Sequence, residues 1–489
     1  MASIQTFKSI HDKEMLLVNN YEYMFDKKRL RIRDQNNIYY WKCTKRCGAT
    51  FRTIFEHGEH KQDNCFINND HSHPPDTVKH HCKILKNKIK KCAQNSQDSP
   101  NQIYQNEIAN SNVIISSQVT KNASKQIVKR QRKGKELEPV SLNFIPSLEL
   151  QNTISGQPFL LKNAIEGNNK FMIFTTVQNC IYLRESNFWL ADGTFKACPG
   201  IFKQIFTIHG SISRGINDNI CVPLVYVLMT NQTEDDYKTV LNEFNNFAIK
   251  NNIYFESNKE LEIITDFEKA SINAINDVFP FVTHSACFFH FCQNIWRHIQ
   301  KEGLSTKYME DLEFNLICRH LPALSFLPVN KVIEGWEIVK LLFSDNEREQ
   351  SLLEYFENTY IYGKPAMRLR GRIKPQRHPP LFPIDMWSVA SRIDANLPRT
   401  TNIAESWHGR LNRLVSKQPG VYKLMRQFQK IQNETENSIE QIIQGRTSKK
   451  RKTCNEEREQ RIKKLVLRLK NLDISIIEFL RGISYNLSF

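Results

Sequence analysis

A mixed α/β fold, preceded by a small β-rich module, is the fold class that this sequence predicts. Three observations predict it. Two cysteines and two histidines gather among aromatic strand formers near the N-terminus, and after Pro139 short apolar runs alternate with amphipathic helical stretches. Two of those runs end on an aspartate, Asp192 and Asp266. With 489 residues and 40% hydrophobic side chains, the chain can bury a sizeable core in two or three domains. Lys and Arg number 68 against 51 Asp and Glu, and the net charge of +17 favours polyanions, nucleic acid ahead of an anionic membrane. The longest apolar run, Cys221 to Met229, is half the length of a spanning helix, and Met1 to Leu16 has no signal-peptide core. No membrane partner and an intracellular protein are therefore expected. Twelve cysteines scattered along so long a chain read as free thiols or metal ligands rather than a disulfide framework.

Each element follows in order. In residues 16–76, three residues separate Cys43 from Cys47 and one separates His71 from His73. Two thiolates and two imidazoles are the donors that tetrahedral Zn²⁺ takes, and so small a segment needs the ion to fold. Tyr39, Tyr40 and Trp41 lead into the first cysteine and "ATFRTIF" follows the second, which predicts a small antiparallel sheet. Cys65 reads as a filler thiol. The order aromatic, Trp, any residue, Cys, then Cys, then His-x-His resembles the FLYWCH-type zinc finger.

Residues 77–138 turn to Lys, Asn, Gln and Ser, the composition of a basic linker, yet helical periodicity runs through them. Val78, Cys82, Leu85 and Ile89 share a helix face, Ser99-Pro100 is a helix start, and a third stretch carries Lys125, Lys129, Arg130, Arg132, Lys133 and Lys135. The segment is either a solvated linker or a helix-turn-helix-like unit whose last, basic helix contacts DNA through Lys129, Arg130, Arg132 and Lys133.

Residues 140–300 predict the first part of the α/β core. "KFMIFTT", "NFWLADGTF", "IFKQIFTIHGSI" and "CVPLVYVLM" are strands; a helix follows on Tyr237, Val240, Leu241 and Phe244, with Asp235 and Asp236 in its first turn. "LEIITDFEKASINAI" is then a strand that ends at Asp266 and flows into a helix. Strand ends in such sheets present ligands, and two aspartates on adjacent ends could hold Mg²⁺ or Mn²⁺, with a third carboxylate completing a two-metal site. Taken alone, each has a plainer account: a turn at Asp192-Gly193 and a helix N-cap at Asp266.

The order of "LADGTFKACPGIF", "IITDFEKASINAINDVFPFVTHSACFFHFCQNIWRHI" and "TTNIAESWHGRLNR" over residues 140–415 resembles a Mutator-like (MULE) transposase. The resemblance implies an RNase H-like core with catalytic acids Asp192, Asp266 and Glu405 on Mg²⁺ or Mn²⁺, cutting and joining DNA. It further implies element ends and target DNA as partners, and the sequence reading adds a homo-oligomer and a nuclear location. Cys287 and His290 match that family's Cys-x-x-His signature and are expected to support the site, with His290 orienting an acid or contacting a phosphate. His408 is expected to support the site as well and, with Arg410, to touch DNA near the cut, Glu268 to be solvated, and Cys292 and Trp296 to pack.

Between Asp266 and Glu405 lie periodic helical segments, so a helical insertion is expected over 301–395, before a final core helix over 396–420. Arg368, Arg370, Arg372, Lys374 and Arg377 form a phosphate-tracking strip or a solvated loop. Residues 421–489 read as a basic helical tail, with nuclear-localisation composition at 447–452 and an apolar stripe, Ile462, Leu465, Val466 and Leu469, suited to self-association or docking. A DNA-binding regulator that keeps the fold without the chemistry is the rival function, and an RNA-directed nuclease a third.

Overall fold

The computed structural model describes residues 4–9, 13–31, 36–56, 59–63, 70–95, 98–132, 138–167, 169–213, 219–365, 377–415, 417–446 and 453–487. Cys65, Lys133, Lys135, Arg368, Arg370, Arg372, Lys374 and residues 447–452 lie outside them, as does the side chain of Arg132. The chain divides into two compact units, Met1–Leu137 and Glu138–Phe489. No described helix is long and apolar enough to cross a membrane.

The first unit opens with six antiparallel strands in sequential order: β1 (Ile4–Lys8), β2 (Glu14–Val18), β3 (Tyr21–Arg31), β4 (Asn36–Cys43), β5 (Thr50–Glu56) and β6 (Glu59–Gln62). Asn19 and Asn20, with φ of 47° and 68°, make the two-residue turn that sets Val18 opposite Tyr21, a conformation Asn tolerates better than most residues. The buried set is small: Leu16, Val18, Tyr23, Trp41, Cys43, Ala49 and Phe51. Trp41 Nε1 donates to Thr53 Oγ1 at 2.8 Å, so the one polar atom of this buried indole is satisfied.

Four helices follow: α1 (Thr77–Asn95), α2 (Pro100–Ala109), α3 (Val113–Ser116) and α4 (Lys121–Arg132). The predicted Ser-Pro start is built, since Ser99 caps α2 in a capping box with Gln102. Cys82, Leu85, Ile89, Ala93, Ile103, Val119 and Val128 bury together, so the segment is a helical bundle rather than a bare linker. The connection from α2 to α4 takes residues 110–120 and includes α3, longer than the short turn of a helix-turn-helix.

The second unit is built on a sheet of β7 (Leu160–Glu166), β8 (Asn169–Phe174), β9 (Phe188–Thr194), β10 (Gln204–Ser213), β11 (Asn219–Met229), β12 (Glu262–Thr265) and β13 (Thr283–Ala286). Its order is β13-β12-β9-β10-β11-β8-β7. β12 is parallel to both β9 and β13; every other pairing is antiparallel. The central strands read as unbroken apolar runs because both faces are covered. Along β8, Phe171 and Ile173 enter one core while Met172 and Phe174 enter the other.

Before the sheet comes α5 (Leu148–Gln151), and α6 (Val177–Glu185), α7 (Glu234–Lys250) and α8 (Lys269–Val278) follow within it. One face packs on Cys180, Leu183, Val240, Phe244 and Ile275. After β13 come α9 (Phe288–Lys301), α10 (Ser305–Glu310), α11 (Leu312–Ala323), α12 (Val332–Lys340), α13 (Glu347–Phe356), α14 (Ile384–Trp387) and α15 (Ala390–Asp394), then α16 (Asn402–Leu414) and α17 (Val421–Ile443). Leu411 of α16 and Tyr422, Leu424, Met425 and Phe428 of α17 cover the sheet's other face.

The chain closes with α18 (Thr453–Lys470) and α19 (Ile476–Asn486). The stripe Ile462, Leu465, Val466 and Leu469 packs on the helical core around Phe291, Trp336, Phe356 and Trp387, which also buries Phe479, Leu480 and Ile483. The apolar stripe read as suited to self-association or docking is thus spent on the chain's own helices.

Candidate metal centres

The zinc ligands expected from the sequence converge. Donor atoms of Cys43, Cys47, His71 and His73 all lie within 4.8 Å of one another. Cys43 Sγ is 3.2 Å from His73 Nε2, and Cys47 Sγ is 3.3 Å from His71 Nδ1. The thiols sit at the ends of a tight turn in which Arg46 N donates to Cys43 O, and Gly48 holds a φ of 88° that suits glycine. The outer ring nitrogens are occupied. His71 Nε2 is 2.8 Å from Tyr23 Oη, and His73 Nδ1 is 3.0 Å from the Pro74 carbonyl. Each imidazole therefore turns its other nitrogen to the sulfurs, the tautomer choice a metal needs. Tyr21 stacks on His71 with ring centroids 3.6 Å apart. Burial keeps His71 below its ordinary value and so neutral. Burial also opposes ionisation of Cys47, but hydrogen bonds from Ala49 and Cys43 outweigh it and bring the thiol to about 7. The donor set fits Zn²⁺.

The second cluster sits at one edge of the larger sheet. β9 ends through Asp192. β12 runs parallel beside it in the register Glu262 to Phe188, Ile263 to Trp189 and Ile264 to Leu190. Carried two residues further, that register sets Asp266 level with Asp192, side chains on the same face. Two distant aspartates become neighbours through strand pairing alone. The third acid comes on a helix: α16 carries Glu405 and, three residues on, His408, which places both on one side. Cys287 follows β13 as the N-cap of α9, and His290 stands in that helix's first turn.

Contacts tie these parts together. Asp192 Oδ1 accepts from Gly193 N at 2.8 Å and Oδ2 lies 3.1 Å from His408 Nδ1. His290 Nε2 is 3.6 Å from Glu405 Oε1, and donor atoms of Cys287, His290 and Glu405 lie within 4.8 Å of one another. Thr401 donates to Cys287 Sγ from its N and Oγ1, at 3.2 and 3.3 Å, and Glu405 N donates to Thr401 O. Asp266 Oδ1 accepts from Glu268 N at 3.2 Å, while the cap position of α8 belongs to Glu268.

Crowded negative charge shows in the titrations. Burial, then the charge of Asp192, holds Asp266 above the ordinary carboxylate range. Burial raises Glu405 as well, against the opposing pull of His290 and with a further push from Asp192. Burial lowers His290, but its hydrogen bond to Cys287 and the charges of Cys287, Asp266 and Glu405 prevail and carry it to about 9. Cys287 moves the other way: burial would raise it, and bonds from His290 and Thr401 bring it below the ordinary thiol value.

Several expectations change. His408, read as a DNA contact, is 5% exposed and faces Asp192, because α16 turns it under the sheet edge. Its Nε2 is 3.0 Å from Thr207 Oγ1, which lies 3.2 Å from His209 Nε2 in the buried interior. Arg410 instead pairs with Glu434. Glu268, read as solvated, is half-buried and accepts from Tyr237 Oη at 2.9 Å. Tyr237 in turn accepts from Gln204 Nε2 at 2.7 Å. Gly193 leaves room for that chain, since a Cβ there would stand 2.9 Å from Gln204 Oε1. Burial and the charge of Asp266 raise Glu268 despite the Tyr237 bond. Thr207, His209, Gln204 and Tyr237 were missed in the sequence. Only the alternation of Thr207 and His209 along β10 could have marked them as one face.

Asp235 and Asp236 keep their helix-start role, Asp236 in a capping box with Thr233. Trp296 packs against the helical core, as expected. Arg377 spends its guanidinium on Glu357 at 2.9 Å and the Gly363 carbonyl at 3.3 Å, whereas Lys129 and Arg130 are exposed.

Comparison with known proteins finds one match in each unit. Residues 6–73 match the model of the FLYWCH zinc finger domain, and residues 188–294 match that of the MULE transposase domain. No curated protein matches the chain. The first match encloses all four zinc ligands and the second encloses Asp192, Asp266, Cys287 and His290. The chain therefore carries an N-terminal FLYWCH zinc finger and a MULE transposase domain.

Proposed function

We propose that the protein is a DNA transposase, or a nuclease derived from one, that cleaves and rejoins DNA strands at Asp192, Asp266 and Glu405. The observation that carries this reading is the β9–β12 register, which carried on sets Asp266 level with Asp192, together with the charge of Asp192 acting on both Asp266 and Glu405 of α16. The order β11-β10-β9-β12-β13, antiparallel across the first three and parallel across the last three, supports an RNase H-like core. The match to a MULE transposase domain supports the same chemistry.

A set of hard oxygen donors whose mutual repulsion His290 relieves only in part fits Mg²⁺ or Mn²⁺, held by Asp192, Asp266 and Glu405. Such ions, when bound, activate the attacking oxygen and stabilise the leaving one. The residues around them hold this donor set in place. His408 fixes Asp192, the Glu268 amide fixes Asp266, and Thr401 and His290 bracket Glu405. His290, protonated up to a pH of about 9, also sets a positive charge beside a site that must receive a phosphate. The zinc finger and the exposed cations of the first unit would supply DNA affinity, and a chain acting on chromosomal DNA would work in the nucleus.

The test is nicking of duplex DNA that carries the ends of the parent element, with added Mg²⁺ or Mn²⁺. The full chain should cut, and Asp266→Ala should lose at least about 10³-fold in rate. Tight DNA binding with no metal that supports cutting would replace this reading with that of a DNA-binding regulator.

A further inference from the structure

We propose that the outer face of α4 reads duplex DNA in the major groove, with Lys121, Lys125 and Lys129 on phosphates and Asn122, Gln126 and Arg130 on base edges. The proposal rests on the DNA-directed reading above and names the surface that selects the sequence.

The helix sorts its residues sharply. Ser124 and Val128 are buried, Ala123 and Ile127 half-buried, and the six residues named are all exposed. Val128 enters the bundle core with Leu85, Ile89 and Ile103, so the outward direction of the other face is fixed by packing. Outward, two adjacent ridges run at four-residue spacing: Lys121, Lys125 and Lys129 on one, Asn122, Gln126 and Arg130 on the next. At 1.5 Å per residue each ridge spans about 12 Å, and an α-helix about 10–12 Å across fits the B-DNA major groove, about 12 Å wide.

The chemistry of the two ridges differs in the way that DNA requires. Three flexible ammonium groups serve as phosphate contacts. The neighbouring ridge offers two carboxamides and a guanidinium, the groups that pair in two-point fashion with adenine and with guanine. No ion pair to a described residue engages Lys121, Lys125, Lys129 or Arg130. The helix holds no acid. From Thr77 to Arg132 there are eleven Lys and Arg against two acids, Asp98 and Glu107, so nine of the chain's +17 charges lie in these 56 residues. Glu107 is occupied by the Cys92 thiol at 3.0 Å.

The experiment uses the full zinc-loaded chain without added Mg²⁺ or Mn²⁺. A random-sequence DNA duplex library is enriched on it, and affinities for the enriched duplex and an unrelated one are followed against salt. The triple exchange Lys121→Ala, Lys125→Ala, Lys129→Ala should weaken both duplexes alike and flatten the slope of log affinity against log salt by about 0.9 for each lysine. Asn122→Ala, Gln126→Ala and Arg130→Ala should each cost roughly ten- to a hundredfold on the enriched duplex, little on the unrelated one, and shift the base preference at separate positions. Circular dichroism checks that α4 still folds, with glutamine replacing lysine if alanine disturbs it. The proposal is overturned if no sequence is enriched, if the triple exchange leaves the salt slope unchanged, if the three single exchanges enrich the parent's sequence, or if the losses fall on RNA duplexes instead. A chain that selects one sequence yet nicks nothing with metal leaves this face standing and removes the proposed reaction. A chain that nicks DNA with an affinity indifferent to α4 does the reverse.

Discussion

The zinc cluster of the first unit and the acid cluster of the second both gather candidate metal ligands, but they differ in what keeps the gathering intact when no ion is there. Around Cys43, Cys47, His71 and His73 the buried set is seven residues, and the donors themselves join the loop at 70–73 to the end of β4. Around Asp192, Asp266 and Glu405 stands a seven-stranded sheet with an apolar core on each face, and His408 and His290 face two of the acids. In the first case the ion replaces a core. In the second the core holds the donors, and the proposed ion would serve the chemistry only.

Metal removal should separate the two most strongly. Chelation of the full chain should abolish hydrogen-exchange protection across β2 to β5, since structural zinc in such modules carries about 10–16 kcal/mol of apparent folding energy. Protection of β8 to β12 should stay as it was. Persistent protection of β4 and β5 without zinc would mean that Trp41, Phe51 and their neighbours suffice alone, and the contrast would fail.

A smaller effect is expected from the imidazole behind Asp192. His408→Ala removes the partner 3.1 Å from Oδ2 without touching a proposed DNA contact. Residues that orient a metal ligand typically matter by about 10–100-fold, and the loss should appear as a raised Mn²⁺ requirement for nicking. Thr207→Val, one step further along the chain to His209, should do the same more weakly. An unchanged Mn²⁺ dependence would make His408 a packing residue. Tyr23→Phe is the matching change at the zinc site: it removes the hydroxyl 2.8 Å from His71 Nε2 and should weaken zinc binding roughly tenfold, read by competition with a chromophoric chelator.

What the sequence disclosed follows the same division. The zinc ligands were legible because their donor types and short spacings are local, and local spacing survives folding. The two aspartates were read as candidates from their strand ends and Glu405 only through resemblance, because strand pairing and the packing of α16, which set these residues near one another, leave no periodic mark. The DNA contact at His408 and the solvation of Glu268 were misread for a related reason. A polar residue on a helix is judged by its own helix, whereas their environment is set by β9, β10 and α7. The apolar stripe of α18 failed likewise: amphipathicity announces that a face will be covered and is silent on whether the cover comes from the same chain.

The smallest expected effect tests whether charge alone holds part of the acid site together. His290 has a folded pKa of about 9 against an ordinary value near 6.5, so it stays protonated in the fold where it would already be neutral in the unfolded chain. The stability it adds is complete below the unfolded value and disappears as the pH rises through about 9. In chelated protein, the melting temperature of the second unit in the parent should exceed that of His290→Gln by a few degrees at pH 6.5, and the gap should close by pH 10. The variant keeps the hydrogen-bonding capacity while removing the titration, so a gap that stays constant across that range would assign His290 to packing. It would also leave Glu405 and Asp266 without a cationic counterpart in the ion-free fold, and the acid site would then need its ion for assembly much as the zinc site does.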